Sequence, residues 1–206
     1  DERPRLYGMP KWSDLFAPRQ LLTMGVLVEE LNNLKAEILA EEGKEQGETI
    51  YKLLVFGMDK YANWNASLAS WNAPYATARS VFDRHDFSFK PTFCEMAPCH
   101  SGAGLDWALN NVLDAFEKLM ELPRASNAAP VEISLGSATH MPQITDRSIT
   151  AVVVDPPYAD NVQYSELADF FYVWMKRTIG KDKPEWFSTY LCDHDEEAVV
   201  NISRNR

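Results

Sequence analysis

The sequence predicts an open α/β fold, and two patterns along the chain indicate it. Residues 1–123 carry apolar side chains at helical spacing and are predicted to form a mainly helical segment. Residues 124–206 begin with the alternating pattern of a strand at 131–135 and continue with an apolar run at 151–154. Such a run is typical of a strand that is covered on both faces. Helices and strands in this order are typical of a sheet flanked by helices.

Four helices are predicted from apolar residues that recur on one face. Three lie in the N-terminal segment, and the fourth and strongest follows residue 158. In chain order they are carried by Leu21, Met24, Val28, Leu31 and Ile38; by Ile50, Leu53, Leu54, Met58 and Tyr61; by Leu105, Leu109, Val112, Leu113, Phe116 and Met120; and by Leu167, Phe170, Phe171, Trp174 and Met175. Residues 41–48 are predicted as a polar link and 87–89 as a short strand.

The composition is that of a folded protein in a reducing compartment. Hydrophobic residues make up 46% of the 206 residues, which is enough to form a core. Three cysteines do not suit a disulfide framework, so we expect a cytoplasmic setting. No apolar run has the length of a membrane span, and no stretch has the pattern of a signal peptide. The net charge of -10 argues against this chain making the main contact with DNA phosphates.

The most informative motif is Asp155-Pro156-Pro157-Tyr158, at the end of the predicted buried strand. In open α/β sheets, ligands bind just beyond the carboxyl ends of the strands. The two prolines have a fixed φ and no N–H, so they form a stiff, extended exit that offers only carbonyl acceptors. We therefore predict a ligand site at this motif, with the ring of Tyr158 beside it.

The motif contains the groups that an exocyclic amine needs in order to accept a methyl group. The lone pair of such a nitrogen is delocalised into the base ring, so the amine is a poor nucleophile. The carboxylate of Asp155 and a backbone carbonyl of the motif can each accept one amine hydrogen, which localises the lone pair. The ring of Tyr158 can stack on a base that has been flipped out of the duplex. Direct in-line attack on a sulfonium methyl group then needs no catalytic cysteine.

Two residues just after the motif are candidate substrate contacts. Asn161 and Tyr164 follow it within about two helical turns and are suited to line a pocket for the base. Asn161 is equally suited to cap the following helix. The motif also has a purely structural alternative, a Pro-Pro turn after an edge strand in which Asp155 caps a nearby helix.

The residues that follow the motif extend it into a family resemblance. The segment 155–175, with the sequence DPPYADNVQYSELADFFYVWM, resembles the large adenine-specific DNA methylases that carry a zinc ribbon. Shorter stretches at 12–22, 70–72 and 93–96 are also similar to that family. The resemblance implies a partial Rossmann-like S-adenosylmethionine-dependent methyltransferase sheet. It makes the Asp-Pro-Pro-Tyr segment the catalytic motif and DNA the partner, with a flipped adenine as the substrate.

The same resemblance implies contacts with S-adenosylmethionine. Phe16 and Pro18 lie in a segment similar to the helix-opening segment beside the methionine end of the cofactor, although a proline at a helix start is also ordinary for any helix. Ser137 stands in the loop 136–139, where an acidic residue near the cofactor's adenine is usual. An ordinary turn is the alternative interpretation of Ser137.

The glycine-rich cofactor loop of these enzymes has one weak match, at residues 101–104. Residues 96–100 before it do not have the pattern of a buried strand, so a helix-entry loop is the favoured interpretation. We expect the true glycine-rich loop to lie upstream, in the remainder of the same polypeptide. The chain, which starts at Asp1 rather than Met, is accordingly predicted to be part of a longer protein.

A metal site is a further hypothesis that the sequence does not favour. The candidate ligand atoms belong to Cys94, Cys99, His100, Cys192 and His194. Their spacing is not a standard zinc pattern, so buried thiols and hydrogen-bonded histidines are favoured and no metal is predicted.

Three functions stay open on the sequence. The leading one is S-adenosylmethionine-dependent methylation of the amino group of adenine in DNA. The same chemistry suits a methyltransferase that acts on RNA or on a protein glutamine amide. The third is a non-catalytic nucleic-acid-binding or assembly module of a defence system, which Ser137 and the missing glycine-rich loop favour.

Overall fold

The computed structural model describes residues 3–124, 131–134, 136–159 and 161–200 of the chain. The helices in these residues are α1 (Arg3–Leu6), α2 (Pro18–Glu42), α3 (Lys44–Trp64), α4 (Gly104–Arg124) and α5 (Tyr164–Met175). The strands are β1 (Ser70–Asn72) and β2 (Thr77–Arg79). Short 3-10 turns occur at Trp12–Leu15, Ala73–Tyr75, Ile179–Lys181 and Pro184–Phe187.

The four predicted helices are confirmed as α2, α3, α4 and α5. The predicted polar link at 41–48 is wrong, because only Gly43 separates the end of α2 from the start of α3. Gly43 has a φ of 77°, a conformation that glycine adopts at little cost and that other residues rarely adopt. One glycine is therefore enough to end α2 and begin α3, and the flanking polar residues join the two helices.

α3 is the central helix of the N-terminal part and packs against both α2 and α4. Its contact with α4 is close at Gly57, where an added Cβ atom would lie 2.3 Å from Cδ2 of Leu109. A larger side chain at this position would force the two helices apart or displace Leu109. The sequence places a glycine inside α3 at the point where this packing requires one.

Aromatic rings join α5 to the N-terminal part. Phe16 stacks on Phe170 at 5.4 Å between ring centroids and meets Trp174 edge-on at 5.3 Å. Phe82 meets Phe170 edge-on at 5.3 Å, and Phe170 itself is 1% exposed. Aromatic pairs in these geometries stabilise packing beyond the area they bury. The helix that follows the Asp-Pro-Pro-Tyr motif is therefore fixed to the core by its aromatic face.

The sheet that the structure shows is a small antiparallel hairpin. β1 pairs with β2 in the register Ser70 to Arg79, Trp71 to Ala78 and Asn72 to Thr77. The strand predicted at 87–89 is wrong, because these residues have no regular structure. Phe87 is 2% exposed and meets Phe82 edge-on at 5.4 Å, so its alternation with Phe89 reflects the anchoring of one ring in the core.

The described residues of the C-terminal segment do not form the strands that were predicted there. Residues 151–154 have no strand partner among the described residues, and the valines at 152–154 are between 73% and 94% exposed. Residues 131–134 are also exposed and without regular structure, and Leu135 lies outside the described residues. A strand needs a neighbour to pair its N–H and C=O groups, and no described segment provides one here. The prediction of a buried strand is therefore wrong for this structure, whereas the α/β fold class and the domain division stay predictions.

A helix that crosses a bilayer has to be both long and apolar. Within the described ranges, no helix combines the length and the apolar character that a membrane crossing needs.

Candidate functional site

The Asp-Pro-Pro-Tyr motif lines an open cavity of about 420 Å³. This volume lies within the range of roughly 300–1,000 Å³ that is usual for ligand pockets. Four of the residues that line it are the motif itself, and the predicted substrate contact Tyr164 is another. The described lining residues are His85, Asp155, Pro156, Pro157, Tyr158, Val162 and Tyr164.

The two tyrosines of the cavity are accessible to a ligand. Tyr158 is 60% exposed and Tyr164, the first residue of α5, is 42% exposed. Asp155 is exposed, and its side chain has no hydrogen bond to another described residue. The carboxylate of Asp155 and two solvent-accessible phenol rings therefore lie at one surface cavity.

Asn161 does not join this group. It is exposed, and it is not one of the residues that line the cavity. Its alternative role as a helix cap is wrong, because the residue that caps α5 is Gln163. Its contact with the base stays a prediction.

The segment 192–200 holds the loop that carries the motif. The N–H of Val200 donates to the carbonyl of Ala159 at 2.7 Å, one residue after Tyr158. The side-chain amide of Gln163 donates to the carbonyl of Val200 at 3.3 Å. The loop between the motif and α5 is therefore fixed from outside, by a part of the chain that lies about forty residues further on.

Glu197, in the same segment, accepts hydrogen bonds from the first turn of α5. Its carboxylate accepts the N–H of Ser165 at 2.8 Å and the Ser165 hydroxyl at 2.5 Å. The first N–H groups of a helix lack partners within the helix, and the helix dipole favours a negative charge there. Glu197 supplies both the acceptor and the charge.

A buried carboxylate anchors the beginning of this segment. Asp169, on α5, is fully buried and accepts the N–H of Cys192 at 2.8 Å. Its other oxygen lies 2.6 Å from Nε2 of His194. Burial, followed by the hydrogen bond to Asp169, raises the pKa of the Cys192 thiol to about 12. The thiol is therefore protonated at neutral pH and is not a nucleophile.

The predicted cofactor residues do not lie together at the cavity. Phe16 is 6% exposed in the aromatic core, and Pro18 is an exposed residue at the first position of α2. Ser137 accepts a hydrogen bond from the N–H of His140 in an exposed turn. None of these three lines the cavity of the motif. They do not fit a shared cofactor pocket with it, and their contacts with S-adenosylmethionine stay predictions.

Residues 101–104, which contain two glycines, form the entry to α4, so the favoured interpretation of a helix-entry loop is confirmed. Gly104 has a φ of 64°, and a Cβ atom there would lie 2.2 Å from the carbonyl oxygen of Ala97. The close approach that this glycine permits is to the chain's own backbone. Gly104 therefore serves packing at the entry to α4.

The cysteines and histidines are dispersed. In the part of the chain that the structure describes, no three side chains of the metal-binding types form a group that can hold an ion. Cys99 is exposed, while Cys94 and Cys192 are partly buried free thiols.

His85 is the polar cavity residue that sequence reasoning missed, beside the apolar Val162. It lies seventy positions before Asp155, in a stretch that carries no catalytic motif. Its φ of 56° is in the left-handed region, which non-glycine residues adopt infrequently and which is found more often at functional sites. No periodicity or spacing reveals this, because the proximity exists only in the folded chain.

No family model, curated protein or solved structure matches this chain. The resemblance to adenine-specific DNA methylases therefore rests on the residues quoted above and stays a prediction.

Proposed function

We propose that the protein methylates the exocyclic amino group of adenine in DNA. The observation that carries the proposal is the cavity in which the carboxylate of Asp155, the prolines of the motif and two exposed tyrosine rings meet. An acceptor for an amine hydrogen and flat surfaces for a base are the two requirements of this chemistry.

Each group of the cavity has a defined task in the proposed reaction. Asp155 accepts one hydrogen of the amine, and a backbone carbonyl of Pro156 or Pro157 accepts the other. The nitrogen lone pair is then localised and attacks the methyl carbon of the sulfonium donor; the carbon–sulfur bond breaks, a neutral thioether leaves, and the nitrogen loses one proton to solvent. Tyr158 and Tyr164 offer the rings on which the flipped base stacks, which holds it in the orientation for attack.

The methyl donor that we propose is S-adenosylmethionine. The residues predicted to contact it do not line the cavity, so the tasks given above belong to the amine-binding half of the proposed site. The proposed partners are DNA and the part of the same polypeptide that carries the glycine-rich loop. The proposed location is the cytoplasm.

Replacing Asp155 tests the proposal directly. In the full-length protein, Asp155→Ala is expected to lower kcat for adenine methylation by roughly 100-fold or more, because one of the two acceptors for the amine is lost. N6-methyladenine is measured by mass spectrometry after digestion of the DNA. The thermal midpoint of unfolding is expected to stay unchanged, since Asp155 is exposed and its side chain makes no described hydrogen bond.

The matched control is Asp146→Ala, which removes an exposed carboxylate that does not line the cavity. It is expected to leave methylation unchanged. Full activity of Asp155→Ala would remove the carboxylate from the mechanism. The wild-type protein is also assayed on RNA and on a glutamine-containing peptide. Methylation of one of these in place of DNA would overturn the choice of substrate.

A further inference from the structure

We propose that His85 contacts the substrate, its imidazole forming a hydrogen bond with the edge of the base whose amine Asp155 receives. The inference rests on the proposed function and adds to it a residue that reads the base. The observation behind it is that His85 lines the same cavity as Asp155, Tyr158 and Tyr164.

The turn that carries His85 is firmly held. Phe82 and Phe87 flank it and contact each other edge-on at 5.4 Å between centroids. Phe82 also packs on Phe170 at 5.3 Å and on Phe171 at 5.6 Å. Both of these partners belong to α5, the helix that begins directly after the motif. The same helix therefore fixes His85 and the motif relative to each other.

Two further contacts close the turn around His85. Its N–H donates to the carbonyl of Phe82 at 3.4 Å, and Asp86 accepts a hydrogen bond from Arg3 at 3.0 Å. His85 is exposed, and its backbone has the left-handed φ described above. An exposed ring on a constrained backbone is poised for a ligand, because little freedom is lost when the ligand binds.

The chemistry of imidazole suits the edge of adenine. Beside its amino group, adenine presents ring nitrogens that accept hydrogen bonds, and a neutral imidazole has one N–H donor. With Asp155 accepting from the amine and His85 donating to a neighbouring ring nitrogen, two adjacent positions of the base are recognised. His85 as donor and Asp155 as acceptor then select a base that has an amino group next to a ring nitrogen without a hydrogen.

Nuclear magnetic resonance on the isotopically labelled chain tests this contact. The chain has four histidines, so the signal of His85 is identified by its absence in His85→Asn. Asparagine tolerates the left-handed conformation, so the turn is retained in this variant. Deoxyadenosine, added to millimolar concentration, is expected to shift the imidazole signal of His85 saturably and to leave those of His100, His140 and His194 in place.

The outcomes separate the two proposals. If the ring signals of Tyr158 and Tyr164 move and the signal of His85 does not, the cavity takes the base and the inference about His85 is wrong. If none of the three signals moves, the cavity does not take adenine and the proposed function fails as well.

Kinetics provide the second measurement, on the full-length protein with DNA as the substrate. His85→Gly keeps the backbone conformation and removes the ring, and it is expected to raise KM for DNA about tenfold with a smaller effect on kcat. His85→Asn restores part of the loss, because its amide also donates. His100→Asn changes an exposed histidine outside the cavity and is expected to behave as the wild type. An unchanged KM in His85→Gly would overturn the inference.

Discussion

Polar side chains inside the helical part show how single residues shape this protein. Asn65 is 2% exposed, and its amide donates to the Tyr61 hydroxyl at 2.7 Å and accepts the N–H of Met96 at 3.0 Å. Tyr61 in turn donates to the carbonyl of Met96 at 2.9 Å. This closed set of hydrogen bonds fixes the segment around Met96 to the end of α3. Asp59, six residues before Asn65, is the contrasting case.

Asp59 is buried, and one of its two carboxyl oxygens is unpaired in the described residues. Oδ1 of its carboxyl has no hydrogen-bond partner among the described residues, and burial raises its pKa well above the usual range. The folded protein therefore binds a proton at Asp59 more tightly than the unfolded chain does. The free energy of unfolding falls as the pH rises from the unfolded pKa to the folded one, and is lowest above both.

Neutralising Asp59 is accordingly expected to stabilise the protein. Asp59→Asn should raise the free energy of unfolding at pH 7 by on the order of 1–3 kcal/mol, because no buried charge is left uncompensated. Urea unfolding of both proteins at pH 7 and at acidic pH gives the comparison. The gain should shrink as the pH falls and the wild-type carboxyl becomes protonated. A gain that is independent of pH would contradict this explanation.

Residue type and spacing were enough to predict part of the candidate site. Asp155 and Tyr158 were found from the sequence because the motif is contiguous, and Tyr164 because it begins the next helix. His85 was not found, because its place in the cavity depends on ring contacts made by Phe82 and Phe87. The cofactor role of Phe16 was predicted from a local likeness, and the structure uses its ring in the core.

Among the elements, α5 is a helix whose existence could be predicted from the sequence but whose N-terminal hydrogen-bond partner could not. Its apolar stripe identified it in the sequence, since that stripe packs on the aromatic core. Its N-terminus is satisfied by Glu197, 32 positions after Ser165. Patterns near a helix start reveal only caps that are close in sequence. The element itself was therefore predicted, whereas the contact that orders its first turn was not.

Removing the contact between Glu197 and Ser165 should loosen the motif loop. Glu197→Gln and Ser165→Ala are each expected to lower the free energy of unfolding by about 1 kcal/mol, as for other lost helix caps. The two losses should add incompletely in the double variant, because the hydrogen bond from the Ser165 hydroxyl to Glu197 contributes to both single losses, whereas the one from the Ser165 N–H does not depend on the serine side chain. Urea unfolding measures them. Glu196→Gln, which changes an exposed neighbour, is the matched control. Additive losses would show that the pair is not coupled.

In the whole molecule, the helical part and the C-terminal part differ in how far their apolar side chains are buried. α2, α3, α4 and α5 bury their apolar faces against one another and against the aromatic core. Residues 151–154 leave their valines exposed, although valine at this density is typical of covered strands. The apolar run predicted a buried strand, but its valines are exposed, because burial needs partner strands that the described residues do not supply.

The placement of the predicted cofactor residues leads to a prediction for the chain as a whole. The 206-residue chain is expected to bind S-adenosylmethionine with a Kd weaker than about 1 mM, because Phe16, Pro18 and Ser137 do not form a pocket with the motif. Calorimetric titration of the chain measures this. Micromolar binding by the chain would contradict the prediction.

The four long helices and the contiguous Asp-Pro-Pro-Tyr motif could be predicted from the amino-acid pattern, because both depend on residues that are neighbours along the chain. Which side chains share the cavity, how α5 is capped and which apolar residues are buried became known only from the folded chain. These features depend on contacts between distant segments, such as those of His85, Glu197 and Val200. Local patterns specify elements, whereas the free energy of burial and hydrogen bonding over the whole chain decides how those elements meet.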